Sequence, residues 1–290
     1  MLVIFNPVAG RRRVQLLWRV LDVLIHNGIR LEVAETKRRG DAQDYARNAA
    51  AAGAPLIVAA GGDGTIAEVA SGLIGSDACL GIIPLGTANV VAHELGLPSA
   101  PTAIAAALAF GRLRCLWPGR AENGSGERLF VQMLGVGFDA HVVHRLPPWL
   151  KRAGGRGAYV AQTLRELGRY RFPPIRLRLD GYETDAASVI ISKGRFYGGR
   201  FLIAPDARPC EPGFSVLLFD HSGPGAALLY GAALPMQVLS RGPGLRHRRA
   251  RRIEFVDCAS VPAQADGDAA GLAPLHVSDA DRPIRVLVGG

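Results

Sequence analysis

Short apolar runs and helix-spaced apolar positions alternate along the first part of the chain. Residues 55–60 are apolar at every position, which is typical of a strand buried on both faces of a parallel sheet. Similar runs predict strands over residues 2–6, 31–35 and 80–83. Between them, apolar side chains recur at intervals of three and four, which predicts helices over residues 14–25, 41–52, 89–95 and from Thr65 onward. This alternation indicates an α/β domain with a parallel sheet.

The pattern changes in the second part of the chain to many short β-rich segments. They cover residues 130–133, 175–179, 188–192, 201–203, 214–219, 252–256, 275–278 and 284–288. Asp180-Gly181 predicts a hairpin turn, and one helical stretch, 159–170, interrupts the strands. We therefore expect an α/β domain over residues 1–115 and a mainly β sandwich domain over residues 116–290, and we leave open that the last strand returns to the first domain.

Length and composition agree with two folded domains. A chain of 290 residues is long for one hydrophobic core, and 49% hydrophobic with 20% charged residues excludes a disordered or fibrous protein. The most apolar stretch, Ala226 to Leu239, is interrupted by Gly231 and Pro235 and is shorter than the ~18 residues that a membrane span needs. The chain opens directly on an apolar strand without a basic leader, so we expect a cytoplasmic protein.

The charge is strongly basic, with 34 Lys and Arg against 25 Asp and Glu and a net charge of +9. Such a balance favours an anionic partner: a nucleotide, a nucleic acid or an acidic membrane. Trp149 lies beside Lys151 and Arg152, a combination that suits shallow insertion into an anionic bilayer, and residues 241–252 form a denser basic run. Either segment could instead be a solvated surface. Nucleic acid is not expected, because no known nucleic-acid-binding motif accompanies the arginines.

Three glycine-bearing turns follow predicted strands of the parallel sheet, at residues 6–10, 61–65 and 86–89. The carboxyl ends of these strands meet at one edge of the sheet, where ligands bind in open α/β folds. Helix N-termini at such an edge offer free N–H groups and partial positive charge, which suits phosphate. The chain has no Walker A loop, and its loose dinucleotide fingerprint at Gly62 lacks the acid expected ~20 residues later.

Asp63 lies between two glycines of the second turn. A carboxylate at a phosphate-binding turn repels phosphate unless a cation lies between them, and Mg²⁺ is the cation that suits this role. The alternative is that Asp63 caps the following helix. Thr65 and Glu68, however, fit a T-x-x-E capping box and would fill that role themselves.

In this order, the three turns resemble the diacylglycerol kinase catalytic domain family, which includes bacterial lipid kinases, sphingosine kinases and ceramide kinases. The matching motifs are Asn6-Pro7-x-x-Gly10, Gly61-Gly62-Asp63-Gly64-Thr65-x-x-Glu68 and Pro84-Leu85-Gly86-Thr87-x-Asn89. NAD kinases and phosphofructokinases share the second motif, but the first and third favour the lipid branch. The resemblance continues weakly at residues 135–139, 197–199, 205–207 and 266–268.

This resemblance implies an ATP-dependent kinase of NAD kinase-like fold, with a nucleotide-binding α/β domain, a lipid-binding β-sandwich and an active site in the cleft between them. The implied nucleotide-binding residues are Asn6, Thr36, Gly61, Gly62, Asp63, Gly64, Thr65, Gly86 and Thr87. Asp63 would act through Mg-ATP. Asp268 matches the acid regarded as the general base and is one methylene shorter than the glutamate of the family. Trp117 and Pro212 depart from the pattern, which puts the structural Mg²⁺ site of many bacterial members in doubt here.

We therefore expect a cytoplasmic, peripherally membrane-associated lipid kinase that transfers the γ-phosphoryl group of Mg-ATP to a lipid hydroxyl, with diacylglycerol as the default acceptor. One alternative is a soluble small-molecule kinase of the NAD kinase-like superfamily. Another is a non-catalytic nucleotide-binding or membrane-binding protein. The oligomeric state is left open, a homodimer included.

Overall fold

The computed structural model describes residues 1–10, 13–124, 126–239, 242–256, 258 and 260–289, without the side chains of residues 10, 148–149 and 151–156. The predicted membrane residues Trp149, Lys151 and Arg152 therefore lie outside the described side chains. The chain divides into two compact units, Met1–Trp117 with Asp281–Gly290 and Pro118–Ala280. Within the described part of the chain, no helix is both long and apolar enough to cross a membrane.

The secondary structure alternates in the first unit and is strand-rich in the second. The strands are β1 Leu2–Phe5, β2 Glu32–Glu35, β3 Leu56–Gly61, β4 Cys79–Pro84, β5 Arg112–Leu116, β6 Gly119–Asn123, β7 Gly126–Phe130, β8 Met133–Val136, β9 Ile175–Leu179, β10 Tyr182–Ala186, β11 Ser188–Ser192, β12 Phe196–Tyr197, β13 Phe201–Leu202, β14 Phe214–Phe219, β15 Leu245–Ala250, β16 Ile253–Val256, β17 Pro262–Ala265, β18 Asp268–Leu272, β19 His276–Asp279 and β20 Ile284–Val288. The helices are α1 Pro7–Gly10, α2 Val14–His26, α3 Asp41–Ala51, α4 Asp63–Leu73, α5 Val90–Glu94, α6 Pro101–Phe110, α7 Phe138–Arg145, α8 Pro148–Glu166 and α9 Pro224–Ala233.

The first unit is built on one sheet with the strand order β2-β1-β3-β4-β20-β5. Every neighbouring pair is parallel except β20 and β5, which are antiparallel. The apolar stripe of α2, with Leu17 and Leu24, packs with Val3, Val58 and Ile104 in one buried cluster. The predicted α/β domain with a parallel sheet is confirmed, and the last strand of the chain joins this sheet.

The second unit contains two antiparallel sheets that bury a shared core. Their strand orders are β10-β9-β16-β19-β6-β7 and β15-β14-β11-β8-β17-β18. Ile175 and Phe255 from the first sheet meet Phe214 and Val136 from the second in one buried cluster. This is the arrangement of a β sandwich, as predicted.

Several helices differ from the prediction. Helix α8 begins at Pro148 and not at residue 159, and α6, α7 and α9 were not predicted. Helix α6 is nearly all apolar and rich in alanine, so it lacks the alternation of apolar and polar positions that marks a surface helix. Helix α9 contains Gly225 and Gly231, which lower the local preference for a helix.

Lys193 is a buried cation that joins the two sheets of the sandwich. Its Nζ donates to Glu211 O at 3.1 Å, Gly213 O at 3.0 Å and Asp279 Oδ1 at 2.7 Å, and lies 4.7 Å from the centre of the Phe214 ring. The residue is 1% exposed. Asp279 Oδ2 also accepts the Gly213 N–H at 2.6 Å. Burial lowers the pKa of Lys193, and the bond to Asp279 opposes that change.

We predict that Lys193→Met destabilises the protein by about 3–5 kcal/mol, because the Asp279 carboxylate and two carbonyls lose a buried cationic partner. The measurement is urea unfolding followed by fluorescence. Adding Asp279→Leu should recover part of the lost stability, since the second change removes the carboxylate that Lys193→Met leaves without its cation. Arg47→Met, which breaks an exposed ion pair with Asp44 at 3.2 Å, is the control and should cost less than about 1 kcal/mol. Equal unfolding midpoints for Lys193→Met and the wild type would show that the buried contacts of Lys193 do not stabilise the protein.

Candidate functional site

The turn after β3 leads directly into α4. Gly62 is the N-cap in an extended conformation, and α4 begins at Asp63. The N-cap glycine has no side chain to cap this helix end, so N–H groups of the first turn and their partial positive charge face outward from the helix. The predicted start at Thr65 and the capping box of Thr65 with Glu68 are therefore wrong. The Thr65 hydroxyl has a different partner, Asn6, because the turns after β1 and β3 lie side by side.

Asn6 ties the turn after β1 to the start of α4. Its Nδ2 donates to Thr65 Oγ1 at 3.0 Å, and its Oδ1 accepts the N–H groups of Val8 at 3.0 Å and Ala9 at 3.2 Å. Its own N–H donates to Ala60 O at 3.0 Å. The side-chain amide of Asn6 thus fixes the shape of its own turn and the rotamer of Thr65.

The turns after β3 and β4 are in backbone contact at two glycines. A Cβ atom on Gly86 would lie 2.6 Å from Gly62 Cα and 2.8 Å from Asn89 Oδ1. A Cβ atom on Gly61 would lie 2.5 Å from Thr65 Oγ1. All three distances are too short for a side chain. Gly86 is therefore required by the approach of the two turns, and Gly61 by the packing of Thr65 against its own turn.

Asp63 connects the start of α4 to the start of α5. Its Oδ1 accepts the Val91 N–H at 3.1 Å. Burial raises the pKa of the Asp63 carboxyl, and hydrogen bonds from the N–H groups of Val91, Val90, Asp63 itself and Asn89 oppose that rise. The carboxylate therefore caps mainly α5, while the N-cap of α4 is Gly62 and not Asp63, as the capping alternative had it. Asp63 is nevertheless partly exposed at the turn.

Asn89 is a site residue that was not among the predicted nucleotide-binding residues. It is 4% exposed with a φ of 47°, a left-handed conformation that asparagine tolerates better than most residues. Its Nδ2 donates to Gly86 O at 2.8 Å and closes the turn. Its place in the third motif was the available signal. Thr87 is exposed beside it, and Thr36 is buried, with its N–H donating to Phe5 O at 2.9 Å.

In the second unit, Asp266 and Gly267 form the tight turn between β17 and β18. Their φ values are 50° and 81°, as a type I′ hairpin turn requires. The Asp266 carboxylate accepts three backbone N–H groups, from Val131 at 2.7 Å, Gln132 at 2.9 Å and Met133 at 2.9 Å. Asp266 is thus an anchor for residues 131–133, and the turn holds Asp268 at the first position of β18.

Asp268 borders a buried polar network that the sequence did not reveal. Asp139 accepts hydrogen bonds from Tyr197 and from Gln264 Nε2, the latter at 3.0 Å, and Gln264 Oε1 accepts the Gly267 N–H at 2.8 Å. Burial raises the pKa of Asp139. Burial also raises the pKa of the Tyr159 hydroxyl, and the charges of Asp139 and Asp268 raise it further. Gln264 therefore links the Asp139 network to the turn that carries Asp268.

The surroundings of Asp268 combine partial exposure with a neighbouring cation. Its side chain is 28% exposed, and Oδ2 lies 3.7 Å from Arg128 Nη2. A carboxylate in this position can reach a ligand and exchange a proton with it. In contrast, both oxygens of Asp266 face backbone donors.

The site residues predicted from the motifs fall into two groups. Those of the first unit meet at the turns after β1, β3 and β4, except for Thr36, which follows β2, while Asp268 lies in the second unit. No group of three His, Cys, Asp or Glu among the described residues could hold a metal ion by itself. The partly exposed Asp63 suits a magnesium ion whose other ligands are phosphate oxygens. In the loop that contains Pro212, the carbonyls of Glu211 and Gly213 bind the Lys193 ammonium group.

Comparison with known proteins adds an independent line of evidence. A family model described as the diacylglycerol kinase catalytic domain matches residues 1–118. A second, described as the YegS C-terminal NAD kinase beta sandwich-like domain, matches residues 132–288. Both models match in the order in which the two units follow each other along the chain.

Individual relatives agree with the family models. A diacylglycerol kinase of Mycobacterium tuberculosis strain H37Rv is 32% identical over 298 residues, covering 97% of this chain and 93% of the relative. A YegS-like lipid kinase of Enterobacter sp. strain 638 is 30% identical over 217 residues, covering 72% of this chain and 71% of the relative. A crystal structure of a candidate diacylglycerol kinase from Bacillus anthracis strain Sterne has a TM-score of 0.80 at 22% identity, covering 99% of this chain and 94% of that chain. The last comparison shows a shared fold.

We predict that Gly86→Ala costs about 1–3 kcal/mol of stability, because the added Cβ would overlap the Gly62 backbone and the two turns would have to separate. Urea unfolding measures the loss. Gly168→Ala is the matched control, since a Cβ there would meet nothing within 4 Å, and it should change stability by no more than about 0.5 kcal/mol. If both variants unfolded at the same urea concentration, the contact of the two turns would not be required.

Proposed function

The chain belongs to the diacylglycerol kinase family of lipid kinases, and from this membership we propose that it transfers the γ-phosphoryl group of Mg-ATP to a lipid hydroxyl, with diacylglycerol as the acceptor to test first. The observation that carries the proposal is the backbone contact between the glycine turns at Gly62 and Gly86, beside the N-terminal end of α4. Backbone at such a place can approach a phosphate chain closely.

In the proposed mechanism the first unit holds the nucleotide. Phosphoryl transfer requires positioning and neutralisation of charge more than covalent chemistry. The N–H groups at the start of α4 would bind phosphate oxygens, and Gly61, Gly62 and Gly64 leave room for them. Asn6 holds Thr65 in place by its 3.0 Å hydrogen bond, so the phosphate turn is organised before ATP binds. Gly86, Thr87 and Thr36 would complete the nucleotide site.

Asp63 would hold the magnesium ion together with the ATP phosphates. A bound Mg²⁺ would neutralise phosphate charge during transfer. Through its hydrogen bond with Val91, Asp63 is fixed in one orientation, so its remaining acceptor capacity faces one direction. The backbone donors on this carboxylate also oppose the rise in its pKa that burial causes.

Asp268 would accept the proton of the lipid hydroxyl as that oxygen attacks the γ-phosphorus, the bond from the γ-phosphorus to the bridging oxygen breaks and ADP leaves. It is partly exposed and is held at the start of β18 by the turn at Asp266 and Gly267. Arg128, 3.7 Å away, favours the ionised form that a general base needs. Gln264 fixes the turn through Gly267, so the aspartate, although one methylene shorter than a glutamate, has a defined position.

The test is a transfer assay with γ-labelled ATP and Mg²⁺ against diacylglycerol, phosphatidylglycerol, sphingosine and ceramide in mixed micelles, with NAD as a soluble acceptor. Label on diacylglycerol supports the proposal, and label on another lipid keeps the reaction and changes the acceptor. Label on NAD alone would favour the soluble small-molecule kinase. Nucleotide binding with no labelled product would favour a non-catalytic protein.

For Asp63→Asn we predict a loss of at least about a hundredfold in kcat with a retained fold, because the amide oxygen can still accept the Val91 N–H while the charge for the metal is lost. Steady-state kinetics and circular dichroism are measured together. Asp77→Asn, at a fully exposed carboxylate of the same unit, is the control and should keep wild-type turnover. Near wild-type turnover of Asp63→Asn would remove the residue from the mechanism.

Asp268→Asn should lower kcat by about 10²–10⁴-fold, which is the usual contribution of a general base. Asp268→Glu keeps a carboxylate and should lose no more than about a hundredfold, the effect of a displacement near 1 Å. The informative measurement is the dependence of kcat on pH, whose acidic limb should be absent in the asparagine variant. Equal activities of the two variants would show that the carboxylate is not the base.

A further inference from the structure

Helix α9 is an apolar helix on the outside of the second unit. All of its residues are described and each is at least partly exposed. Leu228 is 47% exposed and Leu229 58%, and just beyond the helix Met236 is 70% exposed and Val238 48%. Four large apolar side chains within eleven residues form a patch that a solvent-facing surface does not normally carry. We call residues 223–239 the apolar segment.

The apolar segment is anchored, so its exposed side is a fixed surface. Tyr230 and Leu234 pack against Phe219 and Leu217 on the outer face of the sheet that contains β14, and Leu239 is buried in the same cluster. The Tyr230 hydroxyl donates to Gly244 O at 3.0 Å, and its ring packs edge-on against that of Phe219. One side of the segment is therefore held by the protein, while the leucines at 228 and 229 point away from it.

Arginines follow the apolar segment directly. Residues 223–239 contain no charged side chain, whereas residues 240–252 contain six arginines, one histidine and no acid. Strand β15 lies at the edge of its sheet, and Arg248 and Arg249 on it are exposed. Arg249 is paired with Ser215 on β14, and Leu245 with Phe219, so Arg249 lies on the same sheet face as the anchored helix.

We propose that the apolar segment and Arg249 of β15 together form the surface by which this protein docks on an anionic lipid bilayer. The leucines would enter the boundary between headgroups and acyl chains, and Arg249 would bind a lipid phosphate beside them. An uncharged apolar helix suits the acyl-chain boundary of such a membrane, and a run of arginines without acids in the sequence suits its anionic headgroups. The net charge of +9 adds a long-range attraction to the same partner.

A second copy of this chain is a poorer occupant of the surface. In a symmetric dimer the same patch faces itself, so the exposed arginines of one copy would approach those of the other. A bilayer with anionic headgroups neutralises these charges. The charge of the surface therefore favours lipid over self-association.

The purpose of this surface rests on the proposed function, since a lipid kinase needs a fixed orientation on the membrane that contains its substrate. The test of membrane binding does not depend on that function. Binding is measured by sedimentation with phosphatidylcholine vesicles, with and without phosphatidylglycerol, over a range of salt concentrations. We expect binding to rise with anionic lipid and fall with salt. Hydrogen exchange in residues 223–239 should slow on anionic vesicles.

Two pairs of variants separate the apolar and the basic contributions. Leu228→Gln with Leu229→Gln should weaken binding to anionic vesicles by about tenfold or more, whereas Leu113→Gln, at a leucine 53% exposed in the first unit, should not. Arg249→Gln should weaken binding and flatten its salt dependence, while Arg47→Gln should leave both unchanged. Circular dichroism melting checks that each variant is folded.

Three results would overturn the proposal. They are vesicle binding that does not depend on salt, unchanged vesicle binding of the variant with Leu228→Gln and Leu229→Gln, and a lipid-free dimer of the wild type that is absent in this double variant. Turnover of a short-chain, water-soluble diacylglycerol separates this test from that of the proposed function. The leucine double variant and Arg249→Gln should keep wild-type turnover with this acceptor. If the wild type failed to phosphorylate it but bound anionic vesicles through residues 223–239, the kinase proposal would fail and the docking surface would stand.

Discussion

The contact between Gly62 and Gly86 is the constraint on which the first unit's site depends. Two turns from neighbouring strands approach until a single Cβ atom would overlap backbone, and the Asp63 carboxylate crosses from one turn to the backbone of the other. The sheet sets this spacing, because β3 and β4 are paired in register as far as Gly61 and Pro84. The open end of α4 is therefore positioned by the rigid centre of the sheet and not by a loop alone.

The second unit uses the same physical device at a different place. Asp266 directs its carboxylate at three consecutive N–H groups of residues 131–133, and Lys193 directs its ammonium group at two carbonyls and the Asp279 carboxylate. In each case a charged side chain is matched to backbone dipoles, which gives a loop a defined shape. The position of Asp268 follows from the first of these anchors, since it comes two residues after Asp266.

The sequence predicted what depends on local pattern and missed what depends on contacts between distant residues. The strands and the glycine turns were accessible because apolar periodicity and the absence of a side chain are local signals. Thr65 was misread as a cap because its true partner, Asn6, belongs to another strand. Asp139 and Lys193 gave no local sign of burial. Helix α9 was missed because its glycines and uniform apolarity hide the difference between its anchored and exposed sides.

The acids at these turns differ in chemical capacity because their surroundings differ. Asp266 faces backbone donors with both oxygens, so taking up a proton would weaken its hold on residues 131–133. Asp139 is buried, which raises its pKa, while hydrogen bonds from Tyr197, Gln264 and Tyr159 oppose that rise. Asp268 borders that network at the turn and is exposed over 28% of its side chain. A carboxylate that accepts a proton during catalysis and releases it afterwards needs this combination of a fixed backbone and an accessible side chain, and the fold supplies both by placing the anchor and the base two residues apart.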